Sequence, residues 1–276
     1  MKEYVHKVCE RILEKYMLNP WGWVRESDLV PEVARRLTSA IDGGKLAQVD
    51  LKLSKPLARH GKRIWRVPRV RTEVRLSVPQ TSHSAESEET PGKQRRQRID
   101  LAVYRNAAGK PVIKVNGNGV RDALLHGKVE EFETLIEVKL TPGKWITSEN
   151  ECRWFNDVEK LERFSEVPTR VVLLVDTALP LKSVGVTYDM TRSKTELYSV
   201  PRGDLAVPWP LRSEAFAFNA RGRRWTFTPC TPRSKPGLYL WAIGLKGRAP
   251  WNPEATRIAP VKAIHVKPTC WKVTVK

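Results

Sequence analysis

Cysteine is scarce: four residues in 276, Cys9, Cys152, Cys230 and Cys270, with no C-x-x-C pair among them. Neither a zinc knuckle nor a disulfide framework is indicated, and the four read as reduced structural thiols. Long apolar runs are missing too. No stretch approaches the roughly 18 residues of a membrane span, and Met1-Lys2-Glu3 opens an amphipathic helical pattern rather than a signal peptide. The expectation is a soluble, intracellular, cytoplasmic protein with no membrane partner. The five histidines (His6, His60, His83, His126, His265) form no H-x-x-x-H cluster, which leaves zinc-hydrolase and histidine-nuclease chemistry without support. No G-x-x-x-x-G-K-[ST] loop occurs, so no ATPase is built in. Acidic residues are few beside basic ones, 30 against 49, for a net charge of +19. A field of that sign gathers polyanions, so nucleic acid is the expected partner, DNA ahead of RNA.

What is present divides the chain into two textures. Residues 3 to 18 carry Val5, Val8, Cys9, Ile12, Leu13 and Tyr16 at helical spacing, which predicts an amphipathic helix ended by Asn19-Pro20. A second helix is expected to start near Ser27-Asp28, with Val30, Val33, Ala34, Leu37 and Ile41 inward and Gly43-Gly44 as its stop. The period then changes to two. Val70, Thr72, Val74, Leu76 and Val78 alternate with polar residues as a half-buried strand does. Residues 79 to 97 are polar and read as a mobile loop, after which the chain returns as a strand around Asp100. Residues 132 to 140 form a third strand. Glu149 to Ser165 predicts a helix, with Cys152, Phe155, Val158, Leu161 and Phe164 at steps of three or four, and Val171 to Val175 a strand buried on both faces.

Residues 1 to 180 thus read as an α/β core, and 181 to 276 as a basic, Trp- and Pro-rich β extension. Between Thr195 and Lys276 lie 14 lysines and arginines against four acidic residues, with five of the ten tryptophans. Basic residues interleaved with aromatics suit backbone neutralisation and base stacking. The same tryptophans read more readily as the core of a small β-domain, and the two readings are compatible.

The chemistry-bearing residues are Asp100, in Arg98-Ile99-Asp100-Leu101-Ala102, and the pair Glu137 and Lys139, in Ile136-Glu137-Val138-Lys139-Leu140. Period two puts Glu137 and Lys139 on one face of their strand. With Asp100 on a neighbouring strand, two carboxylates and an ammonium would converge at a sheet edge. That composition suits Mg²⁺ or Mn²⁺ beside a water that becomes a nucleophile, so phosphodiester hydrolysis is the first chemistry to consider. Lys139 would orient that water or stabilise charge on the phosphate without acting as a base. Glu137 and Lys139 also fit an exposed same-face pair, and Asp157 and Lys160 fit helix-surface neighbours at i, i+3.

The series Arg71-Thr72-Glu73-Val74, Arg98-Ile99-Asp100-Leu101-Ala102, Ile136-Glu137-Val138-Lys139-Leu140 and Asp157-Val158-Glu159-Lys160-Leu161 resembles the PD-(D/E)XK nuclease superfamily, which includes restriction endonucleases. The resemblance spans roughly residues 20 to 176. It implies an αβββαβ core with a mixed sheet flanked by helices and a metal-dependent endonuclease acting on DNA. It further implies Asp100 and Glu137 as metal ligands, the Val138 carbonyl as a further ligand, and Lys139 as the catalytic lysine. Ile99 stands where the family pattern has proline. Family members also use a glutamate from the first core helix. Glu26 is the best match, sharing a helical face with Val30, Val33 and Leu37, followed by Glu32 and then Glu73. Lys93, Arg95, Arg96, Arg153, Lys160, Arg221, Arg223 and Arg224 are the candidate nucleic-acid contacts. A rival reading is a non-catalytic nucleic-acid-binding scaffold, a subunit of a larger transposition, repair or defence complex. Homodimerisation or other protein partners stay open.

Overall fold

In the computed structural model the residues described are 3–18, 25–42, 48–53, 64–77, 96–105, 113–115, 126–141, 153–176, 184–189, 194–199, 215–220, 222–231, 235–246 and 265–276. Among them lie three α-helices, α1 (Glu3–Leu18), α2 (Glu26–Asp42) and α3 (Arg153–Glu162). The strands of the first half are β1 (Gln48–Leu53), β2 (Ile64–Pro68), β3 (Val70–Ser77), β4 (Arg96–Tyr104), β5 (Ile113–Val115), β6 (His126–Gly127) and β7 (Phe132–Thr141). Those of the second are β8 (Thr169–Asp176), β9 (Val184–Asp189), β10 (Lys194–Ser199), β11 (Phe216–Ala220), β12 (Arg223–Pro229), β13 (Gly237–Lys246) and β14 (His265–Val275). The protein is a mixed α/β structure in which strand predominates.

Nine strands form one mixed sheet in the order β11-β12-β14-β13-β8-β7-β4-β3-β6. β3, β4 and β7 run antiparallel in turn, whereas β7 and β8 are parallel. A parallel pair needs a crossover, and α3 lies in it. β13 continues the sheet parallel to β8. The segment read as a β extension therefore gives β11 to β14 to the same sheet as the core. β1, β2 and β5 make a small separate sheet, and β9 pairs with β10.

Each face of the sheet is covered because alternate side chains point to opposite sides. Val5, Cys9, Ile12 and Leu13 of α1, with Leu29, Val33 and Leu37 of α2, pack on Leu101, Val103, Ile136, Val138, Val171 and Leu173. On the other face Trp154, Phe155, Val158 and Leu161 of α3 meet Ala102, Leu135, Val172 and Leu174, and further along Leu238, Leu240, Trp225, Phe227 and Trp271. β8 supplies residues to both layers, which explains its unbroken apolar run. Trp225, Trp241 and Trp271 are 1%, 2% and 0% exposed, so these three belong to the core rather than to a stacking surface. Trp209 and Trp251 lie outside the described residues.

Several sequence boundaries shift. Glu26, one residue ahead of the expected cap, opens α2, and Asp28 reaches back to accept the Arg25 N–H at 3.1 Å. Arg96 and Gln97, read as loop, open β4, because β3 extends far enough to pair Ser77 with Arg96 and Leu76 with Gln97. The remainder of the expected 79–97 loop lies outside the described residues, as does the start of the helix expected from Glu149. No described helix is long and apolar enough to cross a membrane.

Candidate active site

β4 and β7 part in mid-strand. Their pairing runs from Tyr104↔Phe132 to Leu101↔Ile136, after which β4 continues with β3 and β7 with β8. Asp100 is the first residue past the fork, and its Oδ2 accepts the Val138 N–H at 2.9 Å. A side chain thus replaces the lost ladder bond and ties the two strands where they diverge. Across β3 the register passes from Thr72↔Leu101 to Val74↔Ile99, leaving Glu73 unmatched opposite Asp100 with φ at 55°. A non-glycine residue held there stores on the order of 1–3 kcal/mol, and such strain gathers at functional sites.

Past the fork the α3 face of β7 turns from apolar to charged, Leu135 giving way to Glu137 and Lys139. Asp157 and Lys160 flank the apolar stripe of α3 and meet them. Lys160 Nζ is 2.7 Å from Glu137 Oε2 and 3.3 Å from Asp157 Oδ1, and it donates to the Arg98 carbonyl at 3.2 Å. Lys139 Nζ is 3.6 Å from Asp157 Oδ2 and 3.3 Å from Glu26 Oε2. Asp157 therefore bridges the two ammonium groups, one oxygen to each. Glu26 joins as the first residue of α2. Glu32 sits instead among Lys15, Arg35 and Arg36, whose hydrogen bonds, that from Arg35 foremost, pull its pKa down to about 2.

Burial grades the cluster. The Glu137 side chain is 3% exposed, Asp157 14%, Lys160 21%, Lys139 23% and Glu26 37%, so the site opens on the Lys139–Glu26 side. Glu137 Oε1 is buried without a hydrogen-bond partner. Burial first, and the neighbouring Asp100 charge second, raise the Glu137 pKa well above the ordinary carboxylate value, while Lys160 opposes them. For Lys160, burial would lower the pKa, but the surrounding carboxylates, Glu137 foremost, outweigh it and hold the ammonium charged.

The sequence candidates Asp100, Glu137, Val138, Lys139 and Glu26 are thus neighbours in space. Lys160, assigned from sequence to phosphate contact, lies within the carboxylate cluster. Asp157 was missed as a member, because an i, i+3 Asp–Lys pair is usually a surface feature; its place on the flank of the α3 stripe was the available signal. The other cations are dispersed. Arg96 opens β4 and Arg153 opens α3. Arg223 makes a forked pair with Glu162 at 3.1 and 2.8 Å and lies 5.4 Å from the Trp225 ring centre. Arg224 is exposed. Lys93, Arg95 and Arg221 lie outside the described residues.

The chemistry of the donor set fits a hard divalent cation: the Asp100 and Glu137 carboxylates, the latter with one buried oxygen that has no hydrogen-bond partner, are oxygen ligands of the type Mg²⁺ and Mn²⁺ select. Among the described residues no group of three or more acidic, histidine or cysteine side chains converges as a ready-made metal cage. Lysine ammonium groups lie between the carboxylates instead. The comparisons with known proteins supply no relative: no family model, curated protein or solved structure matches this chain.

Proposed function

We propose that this chain is a metal-dependent phosphodiester hydrolase acting on DNA, with a restriction-endonuclease-like αβββαβ core of the PD-(D/E)XK type. The observation that carries the reading is the meeting of Asp100, Glu137 and Lys139 at the fork between β4 and β7, with Glu26 completing the rim. With β1, β2, β5 and β6 set aside, the elements α2, β3, β4, β7, α3 and β8 follow in the order α, β, β, β, α, β, which supports this reading.

Asp100 and Glu137, with the Val138 carbonyl, are the residues that would hold Mg²⁺ or Mn²⁺. The ion would acidify a bound water and offset phosphate charge. Asp100 also fixes the fork through the Val138 amide, so its carboxylate is oriented before any substrate arrives. Lys139 stands on the open side and is the group within reach of an incoming phosphate. Its ammonium orients the attacking water or stabilises charge developing on the phosphorus oxygens. Glu26 and Asp157 hold it in place. The net charge of +19 favours a polyanionic substrate.

A second reading is favoured by the ion pairs themselves. If they serve only to satisfy buried charge, the chain is a nucleic-acid-binding scaffold in a larger assembly. Cleavage of plasmid DNA in Mg²⁺ by wild type and Lys139→Met separates the two. The hydrolase reading expects Lys139→Met to bind the DNA with little change and to cut it at least about 100-fold more slowly, the usual scale for losing one electrostatic catalytic group. Equal cutting by both removes Lys139 from the mechanism. Binding with no cutting by wild type favours the scaffold.

A further inference from the structure

Three oxygens surround the Lys160 ammonium, contributed by three elements: Glu137 Oε2 on β7, the Arg98 carbonyl on β4 and Asp157 Oδ1 on its own helix. A lysine ammonium is a compact, strongly hydrated point charge, and here protein oxygens replace part of its water. The same carboxylates, with Asp100 beside them, are the hard donors of the candidate metal site. Three carboxylates (Glu26, Glu137, Asp157) share two ammonium groups, with Asp100 tied to the Val138 amide beside Glu137, so carboxylates outnumber the cations that serve them.

We propose that Lys160 is a tethered cation of the site, occupying the carboxylate cluster in the metal-free protein and giving way when a divalent ion loads. The inference rests on the hydrolase reading and adds to it a threshold: the concentration of metal needed is set by competition with a side chain. Two features beyond the clustering of charge support it. Glu137, 2% exposed, presents one oxygen to Lys160 and leaves the other without a hydrogen-bond partner, so its carboxylate has capacity beyond the ammonium. The two partners are also anchored differently. Glu137 is held on the central strand β7, whereas Lys160 reaches in from the flank of α3 on a flexible four-carbon stem, its side chain 21% exposed. Asp157 keeps Lys139 as a partner when Lys160 leaves.

Titration calorimetry with MnCl₂ on metal-free wild type, Lys160→Met, Lys160→Gln and Asp100→Asn tests this. Lys160→Gln retains a donor for Glu137 Oε2 and guards against loss of the fold in the Met variant. The expected result is Mn²⁺ affinity at least about tenfold higher in both Lys160 variants than in wild type, as removal of a competing charge requires. A larger rise of melting temperature on adding Mn²⁺ accompanies it, and Asp100→Asn loses the binding. Binding of equal or lower affinity in the Lys160 variants overturns the tethered-cation role and leaves the metal reading standing. Absence of binding in all four folded proteins overturns both.

Discussion

Glu137 is the residue at which the competing forces are sharpest. It is enclosed by the sheet and α3, shares one oxygen with Lys160, and lies near the Asp100 charge. Its carboxyl therefore keeps its proton to a higher pH in the folded chain than in the unfolded one. Where the folded state binds more protons, stability falls as pH rises, so this group costs stability from the ordinary carboxylate range upward through its folded pKa. Glu137→Gln removes the cost. Thermal melts in metal-free buffer should show the variant gaining on wild type as pH rises from 4.5, the ordinary glutamate value. A gap that narrows with rising pH would contradict the account. Glu73, at φ 55° in mid-strand, offers a second residue-scale test. Glycine adopts that backbone without strain, so Glu73→Gly should leave the protein about 0.5–1 kcal/mol more stable by urea unfolding, strain relief outweighing added chain entropy. At this scale the sequence was informative about residue type. A carboxylate set between Ile99 and Leu101 in an apolar strand needs a partner, and that much of Asp100 is legible from its neighbours alone. The identity of that partner, the Val138 amide, was not legible, since it depends on where two strands separate.

At the scale of elements, α3 is what assembles the cluster, and it does so by an apolar stripe. Leu161 is fully buried and next in sequence to Lys160; Leu161→Ala should cost roughly 2–5 kcal/mol and loosen the Lys160–Glu137 pair with it. The turn between β11 and β12 tests a different principle. Ala220 pairs with Arg223, and Gly222 in the connection between them has φ 73°. A Cβ added at Gly222 meets nothing within 4 Å, so Gly222→Ala should cost about 1–2 kcal/mol in urea unfolding through backbone strain alone. An unchanged midpoint would show that the turn relaxes. Period and spacing made the long elements readable, α1 and β8 to within about two residues. β1, β5, β9 and β10 were not readable. They are short or polar strands whose existence depends on partners remote in sequence, as with β1, whose partners lie at 64–68 and 113–115.

At the scale of the whole molecule, the +19 charge and the single nine-stranded sheet belong to one account. The C-terminal strands were separable in composition but not in structure. Their tryptophans complete a core that α3 and β8 begin, and Arg223 among them pairs with Glu162 of that helix. Excess cation charge still favours polyanions over the molecule as a whole. Affinity for duplex DNA should fall by about tenfold or more between 50 and 200 mM salt, as release of counterions from only a few phosphates requires. Salt-independent binding would point to a protein partner instead.

The central claim is that the fork between β4 and β7 hydrolyses phosphodiesters. Mg²⁺- and Mn²⁺-dependent cutting of linear, supercoiled and single-stranded DNA by wild type and Asp100→Asn, with EDTA as control, tests it most directly. Asn keeps an acceptor for the Val138 N–H while removing the charge, so the variant retains the fork. The account predicts products that require metal, vanish in EDTA and are absent with Asp100→Asn. Products that survive EDTA, or that form equally with Asp100→Asn, would contradict it.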